Sequence, residues 1–361
     1  MSSPIEILAA LVRQRALLAR HTGMDIASEA LFRLTHRPGG LLHSRLEVTR
    51  HTLAWATDRA VRFLERAQRW DGSYRDFLLD PGASSAWITA HVALVVESMP
   101  ELQEPCAAAA RYLHELGCRD GGWGYNRRVG FDCDSTAQAL LVLHRHGYRI
   151  RDSWIAEIAG AQSPCGGFPT YRPTGPDGAP ESGWQAPHPD VTLVVVRMMN
   201  RLGILPAERA RAEQWLTTQA KGGVVPTYWW TTPAYGLWAQ AQAGFEAAAA
   251  RDAAVQLLPS SGAVPDLPML LFAASGGAAA GDSSAEATVD NACKQAMVAL
   301  LSQQRADGSW DCAPRLRVTD PDVFRSSVDA RGRVYSGQRR VFSTAHAIAA
   351  LVQQAYLARG G

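Results

Sequence analysis

One stretch decides the fold: RYLHELGCRDGGWGYNRRVGFDCDSTAQALLVL, from Arg111 to Leu143. It opens as an amphipathic helix, with Leu113 and Leu116 on one side and Arg111, His114 and Glu115 on the other. Gly121 and Gly122 stop that helix, because glycine takes positive φ without a Cβ penalty. Trp123 follows, where it can pack back on the helix it has just left. After a short loop, Asp132-Cys-Asp134-Ser135-Thr136 supplies residues favoured at helix N-termini. The second helix that they open is almost wholly apolar, so it must be buried on most sides, while the first faces water.

The same phrase recurs along the chain. RFLERAQRWDGSY ends at Tyr74, WIAEIAGAQSPCGGF at Phe168 and MVALLSQQRADGSW at Trp310. A degraded copy, QWLTTQAKGGVVPTYWW, ends at Trp230. Apolar helices follow as AWITAHVALVV from Ala86, DVTLVVVRMM from Asp190 and FSTAHAIAAL from Phe342. Two weaker members read WTTPAYGLWAQ from Trp230 and DLPMLLFAAS from Asp266. Together these imply six outer–inner helix pairs. One pair cannot bury its apolar helix alone, so the pairs must stack, and six can close into a ring within a ring. The expectation is an all-α chain: a single (α/α)6 barrel over residues 48–361, with extra N-terminal helices over residues 1–47 packed on it. Ala273 to Glu286, rich in Ala, Gly and Ser, reads as a mobile loop. No strand alternation competes.

Composition narrows the function. The 361 residues carry 36 basic and 34 acidic side chains, a balance that argues against nucleic acid as a partner. The apolar segment Ile5–Leu18 is short and broken by Arg13 and Arg15, so it reads as an amphipathic helix and not as a membrane span. The six cysteines form no C-x-x-C pair and nothing reads as a signal peptide, which predicts reduced thiols and a cytoplasmic protein.

Residues Arg62 to Leu351 resemble the glutamine–tryptophan repeats of squalene–hopene cyclases and class II terpene cyclases, the superfamily of prenyltransferase and squalene oxidase repeats built on an α/α toroid. The strongest likeness runs from Asp120 to Leu143, where G-G-W leads to D-x-D-S-T. That motif is similar to the D-x-D-D-T-A and D-x-D-T-T motifs of these cyclases, with Ser135 where the last aspartate often stands. Class II cyclases usually contain two such barrels, and repeats for one are present here. The first inner helix also resembles the thioester domain of complement-type proteins, but the G-C-G-E-Q motif is absent. Asp311, Cys312 and His346 resemble the zinc ligands of protein prenyltransferase β-subunits, with the wrong Asp–Cys spacing, so no zinc is expected.

The resemblance implies a proton-initiated cyclisation or isomerisation of a sesqui- to diterpenoid prenyl substrate. Asp134 would be the general acid and Asp132 its neighbour, with Ser135 orienting it or holding a water. A carboxyl group becomes a usable acid beside a second carboxyl in a dry pocket. The simpler reading of both aspartates is helix capping.

Aligning the inner helices puts Trp87, Asp134, Asp190, Trp230, Asp266 and Phe342 at equivalent positions around one mouth. Acids there could tune one another, and aromatic faces could stabilise a cation. His188 is placed to tune Asp134, and His346 to line the cavity one turn below Phe342. The long segment from Asp311 to Val341 carries Arg315, Arg317, Arg325, Arg331, Arg333, Arg339 and Arg340. It is expected to lie over the mouth, because every outer-to-inner connection emerges there. Arg339 and Arg340, with Arg127 and Arg128, would suit a diphosphate. Mg2+ would enter only with such a substrate, and no other cofactor is expected. A homodimer or a partner could close the mouth. Two rival readings are a barrel enzyme using the aspartates on a non-terpenoid intermediate, and a non-catalytic binding barrel.

Overall fold

Amphipathic and apolar helices alternate through the computed structural model, which describes residues 48–120, 122–275 and 283–357. The outer helices are α1 (Arg50–Ala67), α3 (Gln103–Asp120), α5 (Asp152–Ala159), α7 (Pro206–Gln219), α9 (Ala247–Leu257) and α11 (Ser283–Ser302). The inner helices are α2 (Ala86–Val95), α4 (Cys133–Arg145), α6 (Pro189–Leu202), α8 (Ala234–Ala243), α10 (Asp266–Ser275) and α12 (Val341–Leu357). Inner helices touch in chain order, and α12 returns to α2, so the inner ring closes. Outer helices seat between successive inner ones: α3 against α2 and α4, α9 against α8 and α10, and α1 against α12. This is the expected (α/α)6 barrel. The proposed N-terminal extension over residues 1–47 lies outside the described residues. The loop expected at Ala273–Glu286 is shorter than its composition implies, since α10 continues to Ser275 and α11 begins at Ser283. The fourth inner helix starts at Ala234, not at Trp230. Pro233 has no amide hydrogen to continue a helix backwards, and Trp230 instead bridges Leu316 as extended chain.

The repeat residues do specific work. Gln68 donates to Gly72 O in its own turn (2.9 Å) and to Pro105 O at the start of α3 (2.7 Å). Gln162 links Gly166 O and Glu208 O of α7 in the same way, and Gln304 links Gly308 O and Ala56 O of α1. The repeat glutamine therefore ties α1 to α3, α5 to α7 and α11 to α1, and Gln304 closes the outer ring. The turn glycine is required for the same contact: Gly308 has φ +91°, and a Cβ there would lie 2.3 Å from Arg59 O on α1. The repeat aromatic is held twice. The backbone N–H groups of Tyr74, Trp123, Phe168 and Trp310 donate to Thr89, Thr136, Thr192 and Thr344 on the inner helices. The indoles of Trp123 and Trp310 donate to Leu113 O and Leu300 O, ten residues upstream.

Two antiparallel hairpins, unannounced by any alternation, lie in the outer-to-inner connections: β1 (Asp76–Leu79) with β2 (Gly82–Ser84), and β3 (Leu316–Thr319) with β4 (Gly332–Tyr335). The second is carried by the long arginine-rich segment. It docks on the barrel through the backbone bonds Arg317 N–H to Trp229 O and Thr231 N–H to Arg315 O. Among the described residues, no helix is long and apolar enough to cross a membrane.

Candidate active site

The first turns of α2, α4, α6 and α8 meet at a cavity of about 430 Å³, within the range of about 300–1,000 Å³ usual for small-molecule sites. Trp87, Tyr125, Tyr171, Trp184, Trp229, Trp230, Tyr235 and Tyr335 line it, with Asp132, Asp134 and Asp190 on one side. Leu316, Val318 and Tyr335 bring the β3–β4 hairpin over the top, so the long segment does form part of the mouth. Arg128 is the basic residue on the lining.

Asp132 and Asp134, two residues apart, do different things. Asp132 is the N-cap of α4: its carboxylate accepts from Ser135 N–H (2.6 Å) and Ser135 Oγ–H (2.8 Å). Asp134 is one residue inside the helix and caps nothing. Trp87 Nε1–H donates to its Oδ2 (2.9 Å) and Gln138 Nε2–H to its Oδ1 (3.1 Å). Burial, only partly offset by the Gln138 and Trp87 bonds, pushes the Asp134 carboxyl up to about 7, and Asp190 adds to the rise. Asp132 also rises well above the carboxylate range, first through burial and then through the charge of Asp134.

A second layer lies one helical turn below the mouth, at the i+4 positions of the inner helices. His91 Nδ1 pairs with Gln138 Oε1 (2.9 Å), and His91 Nε2 with His346 Nε2 (2.9 Å). Burial drives His91 down to about 3 and His346 well below its usual value, so both are neutral. With Gln138 donating to Asp134, its carbonyl accepts from His91 Nδ1–H. His91 Nε2 is then the acceptor of its pair, and His346 Nε2–H the donor. The buried chain runs His346, His91, Gln138, Asp134, each group orienting the next.

Asp190 stands on the neighbouring inner helix. Its Oδ2 accepts from Tyr228 N–H (3.1 Å) and Trp229 N–H (3.0 Å), and burial raises the carboxyl to about 6.

Several residues predicted to share the mouth do not line the cavity. Asp266 is turned away, held by Arg315 Nε (2.6 Å) and Thr232 Oγ1 (3.0 Å). Phe342 is fully buried below the floor, stacked between Trp87 (5.8 Å) and Trp230 (5.3 Å). His188 is buried and stacks on the Tyr228 ring (3.6 Å), and His346 sits in the second layer. Arg127 lines a separate surface groove beside Trp70. Arg340 pairs outward with Asp307 (2.8 Å) and lies over Phe63, while Arg339 is exposed. Arg331 pairs with Asp320, Asp322 and Asp329 on its own segment. Arg315 and Arg333 pair with Asp266 and Asp80 outside the segment, so these charges are held by acids and not turned to the cavity. Asp311 is an exposed partner of Arg305 (2.7 Å), whereas Cys312 and His346 are buried. Among the described residues, no group of three or more His, Cys, Asp or Glu could hold a metal ion.

Other residues in and around the cavity escaped the sequence reading. Gln138 and His91 sit one turn below Asp134 and Trp87, so spacing alone could have found them. Tyr125, Tyr171, Trp184 and Tyr335 come from outer-to-inner connections with no repeat position to count from. Asp76 was also missed. Its buried carboxylate accepts from Phe342 N–H (3.2 Å) and Arg339 N–H (2.9 Å), which makes it the cap of α12.

No family model and no curated protein sequence matches the chain. Solved structures do. The type II terpene cyclase MstE from Scytonema, in complex with geranylgeranyl dihydroxybenzoate, superposes with TM-score 0.70 at 23% identity, covering 85% of this chain and 99% of that one. The ent-copalyl diphosphate synthase from Streptomyces platensis gives TM-score 0.55 at 18% identity over 74% of this chain and 50% of that one. An alpha-1,6-mannanase from Salegentibacter gives TM-score 0.52 at 10% identity over 83% and 99%. This chain has the single-toroid fold of the type II terpene cyclases with which it superposes.

Proposed function

We propose that the chain is a class II-type terpene cyclase: Asp134 protonates the terminal alkene of a prenyl chain, and the resulting cation closes rings within the aromatic cavity. One observation carries this reading. A half-buried carboxyl on the cavity wall, with a raised pKa, is aimed by Trp87 and Gln138 while its neighbour Asp132 does the capping. Two carboxyls so close hold one proton between them near neutrality. Burial bears harder on Asp132, but Ser135 donates to both of its oxygens and the α4 N-terminus also favours charge there; in this reading those donors win, and the proton rests on Asp134. The faces of Trp87, Trp230 and Tyr235 line the path of a growing cation.

The head of the substrate follows from charge. The arginines that would grip a diphosphate point elsewhere, and Arg128 is left at the rim. That favours a head with one anionic group, so Mg2+ has no part in this reading. MstE was crystallised with a prenylated dihydroxybenzoate of this kind. The mannanase shows that the toroid also serves polar substrates, but the aromatic walls here support a prenyl chain.

The test is incubation with geranylgeranyl dihydroxybenzoate, geranylgeranyl diphosphate and farnesyl diphosphate, with products analysed by mass spectrometry and NMR. A cyclised isomer of unchanged mass from the dihydroxybenzoate is expected. Conversion of none of the three would count against the proposal, and preference for a diphosphate would overturn the assignment of the head.

A further inference from the structure

A cation made by protonation must lose a proton to end as a neutral alkene. Ring closure moves the positive charge along the prenyl chain, off the carbons of the alkene that Asp134 protonates, so the last proton needs a second base on the cavity wall. The walls offer few. Asp132 is engaged by Ser135 through both oxygens. Asp80 lies at the exposed rim, paired with Arg333. The tyrosines Tyr171 and Tyr235 are pushed above their usual values by burial, so they stay protonated. His188, His91 and His346 are turned out of the cavity.

Asp190 is the exception. It lines the cavity from α6, the helix packed directly against α4. One oxygen, Oδ2, is locked by two backbone amides of the α7–α8 connection. The other, Oδ1, is buried and has no hydrogen-bond partner among the described residues. The capping aspartates Asp76 and Asp132 use both oxygens here, and an unpaired buried carboxylate oxygen is costly. Asp190 instead has a fixed orientation and a vacant lone pair. Its carboxyl is also less raised than that of Asp134. Where two acids share a site with pKa values pushed apart, the lower one is ionised while the higher is protonated.

We infer that Asp190 is the terminal base of the cyclisation. Its Oδ1 takes a proton from the carbon next to the final cationic centre. The C–H electron pair becomes the new π bond, and the proton now on Asp190 replaces the one Asp134 gave up, directly or through solvent after product leaves. No proton is gained or lost overall, so substrate and product are isomers and no co-reactant is needed. The inference rests on the assignment of Asp134 as the acid.

The experiment compares the wild type, Asp134→Asn and Asp190→Asn on geranylgeranyl dihydroxybenzoate. In Asp190→Asn the side-chain carbonyl can still accept from the Tyr228 and Trp229 amides, so the fold should hold, as checked by melting temperature. Asp190→Asn should still consume substrate, but the share of the wild-type alkene should fall at least about tenfold. Double-bond isomers and water-captured alcohols, heavier by one water, should replace it. Asp134→Asn should consume essentially nothing. The wild-type product in unchanged proportion from Asp190→Asn would overturn the inference while leaving Asp134 in place. So would a folded Asp190→Asn that consumes no substrate, because Asp190 would then act at initiation. If that variant does not fold, Asp190→Glu keeps the charge but moves it by one methylene. A changed alkene ratio supports the base, and an unchanged one rejects it. A wild type that converts no prenyl substrate overturns the acid assignment itself, a separate failure.

Discussion

At Asp134 the difference between a cap and an acid comes down to which donors reach the carboxyl. Asp132 is met by the Ser135 backbone amide, whereas Asp134 is met only by side chains from α2 and from its own next turn. Asp134→Asn should therefore lower turnover by at least about a hundredfold, since general acid catalysis contributes about 10²–10⁴. Asp132→Ala should cost about 1 kcal/mol of stability through the lost cap, with a smaller activity loss than Asp134→Asn. Turnover and melting temperature of the two variants check both statements, and an active, folded Asp134→Asn protein would remove the acid. Trp87 makes a finer prediction. Its indole bond holds the Asp134 carboxyl lower than burial alone would, so Trp87→Phe should raise that pKa. An acid must be protonated to act, so wild-type activity should fall as pH rises through about 7. In Trp87→Phe that limb should move to higher pH, and a kcat–pH profile with an unmoved limb would show that the bond does not set the acidity.

Among the elements, the turns carry more of the architecture than their length implies. Gln304 is buried and donates to Gly308 O and Ala56 O, closing the outer ring between α11 and α1. Gln304→Ala strands an acceptor on each side and should destabilise the barrel by about 1–3 kcal/mol. Gly308→Ala should be worse than an ordinary turn substitution, because its Cβ would meet Arg59 O at 2.3 Å and its φ is +91°. Chemical denaturation of both variants measures this, and a near-neutral Gly308→Ala would mean that α1 can shift away. At this scale the sequence reads well where the repeat is intact and poorly where it is degraded. The fourth inner helix starts four residues later than its apolar pattern implies, because Trp230 is recruited into backbone pairing with the β3–β4 segment. Sequence distance hides such a pairing.

Across the whole molecule, the buried carboxyls set a pH dependence of stability. A carboxyl whose folded pKa lies above its unfolded value of about 3.9 stabilises the fold most when protonated, and loses this as pH rises through the folded pKa. Burial raises Asp190 to about 6 and Asp134 to about 7, so these two carboxyls take stability away as pH rises from about 4 to 7, while the buried neutral His91 and His346 add stability as pH rises toward about 6.5. Asp134→Asn removes one of the falling contributions, so its melting temperature should gain on that of the wild type between about pH 4 and pH 7. A difference between the two proteins that stays constant over this window would mean that Asp134 is ionised and compensated in the fold. At lower pH the opposite sign applies to Asp71 and Asp307, which Ser73 and Ser309 hold below the usual range despite partial burial. The arginine-rich segment gives a further prediction. Arg339→Ala and Arg340→Ala should leave KM unchanged, since Arg340 faces Asp307 and Arg339 faces solvent, whereas Arg128→Ala should raise KM for an anionic substrate more than it lowers kcat. A raised KM in Arg340→Ala would return the diphosphate to consideration.

The ring of helix pairs was written in the sequence because its determinants are local. Glycine stops, capping residues and apolar periodicity act within a few residues of where they stand, and their repetition reveals the stacking. The same is true of Trp87, Asp134 and Asp190, which occupy one repeat position and so must share one end of the barrel. Which of those positions opens on the cavity was decided only in three dimensions. Asp266 has the same register as Asp134, yet Arg315 arrives from a distant hairpin and takes its carboxylate; Phe342 has the register of Trp87, yet the surrounding rings bury it. A repeat specifies where a side chain starts, and long-range partners competing for that side chain specify where it ends.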